Sequence, residues 1–280
     1  MRVWSKAVSV MRNRIGLRAP IVATTILGCE VYSREGQWNE KTDYDDAWFL
    51  ACATRARSIV DVGANVGYKS LLAQLAPREV ELDEIVLIDA NPLALAAAAE
   101  GLILNSMSDR ARFISAFAGA SEGKKLEFWT VGTGAAGSVY ASAARTAARR
   151  GRSIEVIETT LDRLVGRRTQ APDLVKIDVE GAECDVLCGA AELARTNATR
   201  FLVEMHAPED RPMHQNATNV LGWCHDVGYR AWYLADHVEL MSPERIEHRG
   251  RCHLLLQPVS WDYPEWLVCI PQGAPLEAAL

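Results

Sequence analysis

The 280-residue sequence has no apolar run near the roughly 20 residues of a membrane helix, which argues against a membrane span. It also lacks a disulfide framework. Its seven cysteines (Cys29, Cys52, Cys184, Cys188, Cys224, Cys252 and Cys269) are scattered and odd in number, so a reducing cytoplasm is the expected location. Cys184 and Cys188 lie one helical turn apart, but no further Cys or His at ligand spacing completes a metal site. They read as structural thiols, and no resident metal is expected. There is no positive excess either. The formal charge of -6 argues against a nucleic-acid backbone as partner. No internal repeat is visible. What is present is 49% hydrophobic residues with 24% charged ones, enough for one large domain with additions or two small ones.

Met1 to Arg18 is basic and reads as a helix. The following "APIVATTILGC" ends in a lipobox-like Gly28-Cys29, but its apolar part is short and is interrupted by Thr24 and Thr25. A β-strand over Ile21 to Leu27 fits at least as well as a signal peptide. "DYDDAWFLACA" reads as a short amphipathic helix, and residues 1–57 as an N-terminal extension. From Ser58 the pattern alternates. "SIVDVG", "EIVLIDA", "ARFISAFAG", "DLVKIDVEG", "RFLVEMH" and "CHLLLQP" are short apolar strands, with helical stretches between most of them. That rhythm predicts an α/β domain over residues 58–258, a mostly parallel sheet with helices on both faces. The Gly/Ala/Ser-rich and then basic stretch 131–152 reads as an inserted lid, and residues 259–280 as a tail.

In an open parallel sheet, ligands bind beyond the carboxyl ends of the strands. Here those ends carry Asp61, Asp89, Asp178, Glu180, Glu204 and His206, and unpaired buried carboxylates are costly, so their convergence predicts a site. The loop Asp61-Val62-Gly63-Ala64-Asn65-Val66-Gly67 lacks the middle glycine of the dinucleotide fingerprint G-x-G-x-x-G. An acid at its start suits an ammonium group and repels a diphosphate. Asp89 ends the next strand, where an acid commonly takes a ribose diol. A ligand with an amino-acid end and a nucleoside end fits both features, and S-adenosylmethionine is that ligand.

"DVGANVG", "IDANP", "TTLDRL" and "LVKIDVEGAECDVLCGA", in this order, resemble the FkbM-type methyltransferases over roughly Asp45 to Pro258. The resemblance implies a Rossmann-like methyltransferase fold with a seven-stranded sheet, its last strand antiparallel. It implies S-adenosylmethionine as methyl donor, and O-methylation of a sugar, glycolipid or other secondary metabolite. By position, Asp61, Gly63, Ala64, Asn65 and Gly67, with Asp178, would hold the methionine end. Asp89 and Ala90 would hold the ribose, and Ala116 and Phe117 would flank the adenine. Family members usually carry Glu where this chain has Asp89. The insertion at Val131 to Arg152 matches no pattern of the family.

Methyl transfer to an alcohol is helped by a base, whereas a carboxylate acceptor needs none. The expected catalytic residues are His206, Asp178 and Glu204. His206 titrates near neutrality and is the natural base. The three could instead hold a divalent cation that orients a diol, a reading the sequence does not favour. Glu180 is undecided between the site and the helix dipole, and Glu183 reads as structural. Lys176, inside an apolar strand, reads as the partner of Asp61 or Asp178, and Asp162 as the cap of its own helix. Arg145, Arg149, Arg150 and Arg152 form a solvated face, or bind an acidic acceptor if the lid closes. A small-molecule or glycan acceptor is the expected partner, and a homodimer is compatible with the sequence. Two rival readings stay open: a nicotinamide-dependent oxidoreductase on a related fold, and a non-catalytic methyltransferase-like binding domain.

Overall fold

The computed structural model describes residues 19–38, 43, 45–133, 137–166 and 170–280, so the expected basic helix at Met1 to Arg18 lies outside the described residues. A hairpin comes first, β1 (Ile21–Ile26) with β2 (Cys29–Arg34), followed by α1 (Asp46–Ala53). Alternating units then run β3 (Ser58–Val62), α2 (Tyr68–Leu75), β4 (Glu84–Asp89), α3 (Pro92–Leu104) and β5 (Ala111–Ser115). Next come β6 (Phe117–Ala118), β7 (Lys125–Trp129), α4 (Arg145–Arg149) and β8 (Ser153–Thr159). The second half contains α5 (Leu161–Val165), β9 (Leu174–Ile177), α6 (Glu183–Cys188), α7 (Ala191–Arg195) and β10 (Arg200–His206). It closes with α8 (Met213–Val227), β11 (Tyr229–Tyr233), β12 (Val238–Glu239), β13 (Arg251–Pro258) and α9 (Glu265–Val268).

The main sheet has the order β12-β11-β13-β10-β9-β3-β4-β5. From β5 through β10 neighbouring strands are parallel, while β13 is antiparallel to both β10 and β11. The antiparallel last strand matches expectation. The sheet has eight strands rather than seven, because the short β12 folds back on β11 at the edge. Strand order reverses between β3 and β9. Crossovers from β3 run one way and those from β9 the other, which opens a crevice at their carboxyl ends.

Alternation along each strand divides the core between two faces. Ile59, Ile85 and Leu87 pack under α1, α2 and α3, whereas Val60, Val62, Val86 and Ile88 face α6 and α8. The helix expected to be amphipathic, α1, is buried on every side. Residues 259–280, expected as a tail, cover it: Leu267, Ile270, Leu276 and Ala279 are buried there, and Trp48 Nε1 donates to the Ile270 carbonyl at 2.7 Å. "ARFISAFAG" is not one strand. The chain leaves the sheet at Ala116, because Phe117 and Ala118 pair with Glu158 and Thr159 of β8 instead.

Local caps explain where several helices begin. Asn91 accepts from the Leu93 amide with Pro92 at the first position of α3. Thr160, not Asp162, caps α5. Asp162 reaches across to α7, accepting from the amides of Glu192 (3.0 Å) and Leu193 (2.8 Å). Asp162→Ala should therefore lower unfolding free energy in urea by about 1 kcal/mol. An unchanged midpoint would dismiss the cap.

Candidate active site

Two adjoining clefts open at the carboxyl ends of β3, β4, β9 and β10. The first, of about 640 Å³ and open to solvent, is lined by Ile88, Asp89, Ala90 and Asn91 on one side and by Ala116, Phe117, Ala118 and Phe128 on the other. The rings of Phe117 and Phe128 are tilted against each other with centroids 6.3 Å apart. Among the described residues no lysine or arginine lines it. The second cleft is lined by Trp38, Asp43, Asp45, Asp46, Tyr68, Lys69, Lys176, Glu204 and Arg251, among others. Gly63, Asn65, Asp178 and Glu180 line both, so the passage between the clefts runs past them.

The glycine loop is shaped by its neighbours. Gly63 has φ +78°, and a Cβ there would lie 1.8 Å from the Asp178 carbonyl oxygen, so β3 and β9 approach at this point only because the residue is glycine. Gly67, at φ +79°, opens α2 against Ala98 of α3 and lines neither cleft. Most of the loop's amides are already used. Those of Gly63 and Ala64 donate to the Ile88 carbonyl, Gly67 donates to the Ala64 carbonyl, and Asn65 donates to Asp89 Oδ2 at 2.7 Å. Four amides turned inward cannot form the anion nest that a diphosphate requires.

Asp89 is fixed from both sides, since its Oδ1 also accepts from the Asn91 amide at 2.7 Å. Burial raises its pKa against the two amide hydrogen bonds that favour the carboxylate. Its short side chain holds the carboxylate back against the loop, where a longer Glu would reach further out. Asp61 sits differently from expectation. It is fully buried, accepts from Ser70 Oγ at 3.1 Å, lies 3.5 Å from Lys176 Nζ and lines neither cleft. Lys176 also pairs with Asp178 at 3.1 Å. Burial opposes its charge, but Asp178 and Asp61 more than offset this and raise its pKa. The acid that faces the ligand side is Asp178, not Asp61.

His206, at the end of β10, is the centre of a carboxylate cluster. Its Nδ1 is 2.9 Å from Glu183 Oε1, and its Nε2 is 3.5 Å from Glu204, 3.8 Å from Glu180 and 3.9 Å from Asp178. Glu183 is fully buried and is held by Asn216 Nδ2 and the Gly181 amide. Burial works against the imidazolium, but the hydrogen bonds it donates to Glu183 and Glu204 and the charges of Glu183 and Asp178 push its pKa up to about 11. Its Nδ1 is occupied by Glu183 and its Nε2 faces Glu204, Glu180 and Asp178, so the ring meets carboxylates on both sides. Glu204 is held by Arg251 (2.9 Å) and His253 (3.3 Å); burial raises its pKa, but hydrogen bonds from His206 and His253 and the charges of both rings outweigh it and lower the pKa.

Asp178, Glu204 and His206 each offer a ligand atom within 4.8 Å of one another, as do Asp45, Glu204 and His253. Lys176, Arg251 and the histidine rings already supply positive charge to these carboxylates. We read both sets as ion-pair networks.

The insertion between β7 and β8 docks on the site through Ser138, whose Oγ donates to the Glu180 carbonyl at 2.9 Å. Tyr140 lies under the Arg211 guanidinium, and Ser142 Oγ donates to Asp210. Arg145, Arg149, Arg150 and Arg152 line neither cleft. Arg145 instead lies 3.9 Å from Glu209 at the surface. Glu180, one of the strand-end acids expected at the site, lines both clefts, whereas Phe128, Asn91, Trp38, Tyr68 and Lys69 line them without having been expected there. Phe128 belongs to β7, a strand the sequence pattern does not show.

The parallel sheet with its reversal between β3 and β9, the antiparallel β13 and the cleft at the reversal define a Rossmann-like methyltransferase fold. The chain belongs to the FkbM methyltransferase domain family, whose model matches residues 61–231. No curated protein matches it. Among solved structures, the methyltransferase FkbM of Methylobacillus flagellatus KT aligns with 77% of this chain at 14% identity and a TM-score of 0.48. This chain spans just under half (48%) of that protein. The precorrin-6y C5,15-methyltransferase of Geobacter metallireducens GS-15 aligns at 12% identity and TM-score 0.42, covering 76% of this chain and 87% of its own. M. jannaschii TYW2, in complex with AdoMet, aligns at 11% identity and TM-score 0.41 with 85% of each chain covered.

Proposed function

We propose that this chain is an S-adenosylmethionine-dependent O-methyltransferase acting on a hydroxyl of a sugar, glycolipid or secondary metabolite. One observation carries the reading. The first cleft pairs an apolar slot with a carboxylate, Asp89, while four loop amides are turned inward and, among the described residues, no cationic side chain lines it. That suits a nucleoside without phosphates and disfavours the nicotinamide dinucleotides. Bound S-adenosylmethionine supplies a methyl group already activated on a sulfonium.

The chain's own residues bind, orient and shield. Asp89, beside Ala90, accepts the ribose hydroxyls. Ala116, Phe117 and Phe128 enclose the adenine. Gly63, Ala64, Asn65 and Asp178 face the amino-acid end, with Asp178 receiving the ammonium group. Asp61 and Gly67 act behind them, one through Lys176 and the other through helix packing. His206 and Glu204 set the charge of the rim. The acceptor enters the second cleft, where six carboxylates (Asp43, Asp45, Asp46, Asp178, Glu180 and Glu204) outnumber three cations, Lys69, Lys176 and Arg251. That excess favours a neutral hydroxyl over a carboxylate or phosphate acceptor.

Calorimetry with S-adenosylmethionine, S-adenosylhomocysteine and NAD tests the reading. Binding of the first two and not the third is expected, and tight binding of NAD alone would overturn it. Asp89→Ala should weaken S-adenosylhomocysteine about 10–100-fold, the worth of hydrogen bonds to a charged group. An unchanged affinity would remove Asp89 from the ribose site.

A further inference from the structure

We propose that Glu180 is the group that takes the proton from the acceptor hydroxyl; this rests on the methyltransferase reading above and deepens it. A methyl group passing from donor to acceptor must cross the boundary of the two clefts. Among the described residues only Gly63, Asn65, Asp178 and Glu180 line both, and two of these are carboxylates. Asp178 is committed to Lys176 at 3.1 Å. Among the described residues, Glu180 has no Lys or Arg within ion-pair distance, and its nearest cationic group is His206 Nε2 at 3.8 Å. Burial raises its pKa, with the His206 charge acting against that and Asp178 adding to it. Such a carboxylate is a better proton acceptor than an exposed one.

The backbone supports the same assignment. Glu180 has φ +54° and Gly181 has φ +105°. A left-handed side-chain-bearing residue is strained and persists only where its surroundings fix it. Ser138 Oγ holds the Glu180 carbonyl at 2.9 Å, and Glu183 Oε1 holds the Gly181 amide at 2.9 Å. A Cβ on Gly181 would meet Pro208 at 2.6 Å, which keeps the turn against the 207–212 segment. The chain accepts this conformation at a residue that lines both clefts.

In the step, the acceptor O–H bond breaks, its electron pair stays on oxygen, and Glu180 becomes a carboxylic acid. The oxygen forms its bond to the methyl carbon as the carbon–sulfur bond breaks, with that pair remaining on sulfur. Glu180 then returns the proton to water.

An acceptor-free probe tests this. Sinefungin carries a protonated amine where S-adenosylmethionine carries its methyl group, so a carboxylate at the transfer point favours it over S-adenosylhomocysteine. By calorimetry on the full chain, the wild type should bind sinefungin at least about tenfold tighter than S-adenosylhomocysteine, the worth of a charge-assisted contact. Glu180→Gln should erase that preference while changing S-adenosylhomocysteine affinity less than about threefold. The wild-type preference should also fall as pH drops through the Glu180 pKa, above the ordinary carboxylate range, because the acid form attracts no amine. A preference that survives in Glu180→Gln but collapses in Asp178→Asn would assign the role to Asp178. A wild type without the preference, yet binding S-adenosylhomocysteine, would overturn the assignment. Failure to bind either nucleoside would overturn the methyltransferase reading itself.

Discussion

Lys176→Met should lower the free energy of unfolding by about 3–5 kcal/mol, the usual result of removing one partner from a buried ion pair. Asp61 and Lys176 are register neighbours on β3 and β9, and both are buried. Without the ammonium group, Asp61 retains Ser70 as a hydrogen-bond donor but stays a carboxylate in an apolar layer beneath α2. Burying an unpaired charge costs far more than the pair itself contributes. The double variant Asp61→Asn, Lys176→Met should recover most of the loss, because the orphaned charge is gone. Urea unfolding followed by tryptophan fluorescence measures both. A single variant within about 1 kcal/mol of wild type would mean that water reaches Asp61.

The second large effect concerns Gly63. Gly63→Ala should abolish binding of S-adenosylhomocysteine, with a loss beyond about 100-fold, if the protein still folds. Two costs add. A left-handed φ costs a residue with a Cβ about 1–2 kcal/mol. The methyl group would also sit 1.8 Å from the Asp178 carbonyl oxygen, so the ends of β3 and β9 must part. That movement displaces Asp178 and Asn65, which line the cleft. Gly123 separates the two costs. It too has a left-handed φ, +78°, but a Cβ there meets nothing within 4 Å. Gly123→Ala should show only the conformational cost, seen as a small fall in melting temperature with binding intact. Similar behaviour of the two variants would show that contact with β9 is irrelevant.

The sheet's parallel core was legible because β3, β4, β9 and β10 are short apolar runs buried on both faces, with acids and a histidine at or near their carboxyl ends. The strands missed have another character. β7 and β8 carry Lys125, Glu127, Glu155 and Glu158 and are mostly exposed, and they pair across the long insertion, with no tight turn to mark a hairpin. β11 is "YRAWY", too short and too mixed to show in the sequence that it forms a strand between β12 and β13. At the site, residue types were legible and their states were not. His206 has an ordinary pKa in isolation. The four carboxylates around it come from the turn after β9, from α6 and from β10 itself, and only the fold brings them together. Asp61 looked like a ligand residue because it ends a strand, yet alternation turns it toward α2, where Ser70 and Lys176 occupy it. Nothing in a linear pattern marks Glu180 as left-handed.

The late residues that cover α1 have a further consequence for how the molecule is made. Trp48 donates to the Ile270 carbonyl, and Leu276 and Ala279 close the same layer. On a ribosome, the helix around Trp48 emerges early and waits with its apolar surface uncovered until residue 279 has left the exit tunnel. Folding of that half of the core therefore waits on residues 222 positions later in the chain, and it most needs a chaperone while they are still being made.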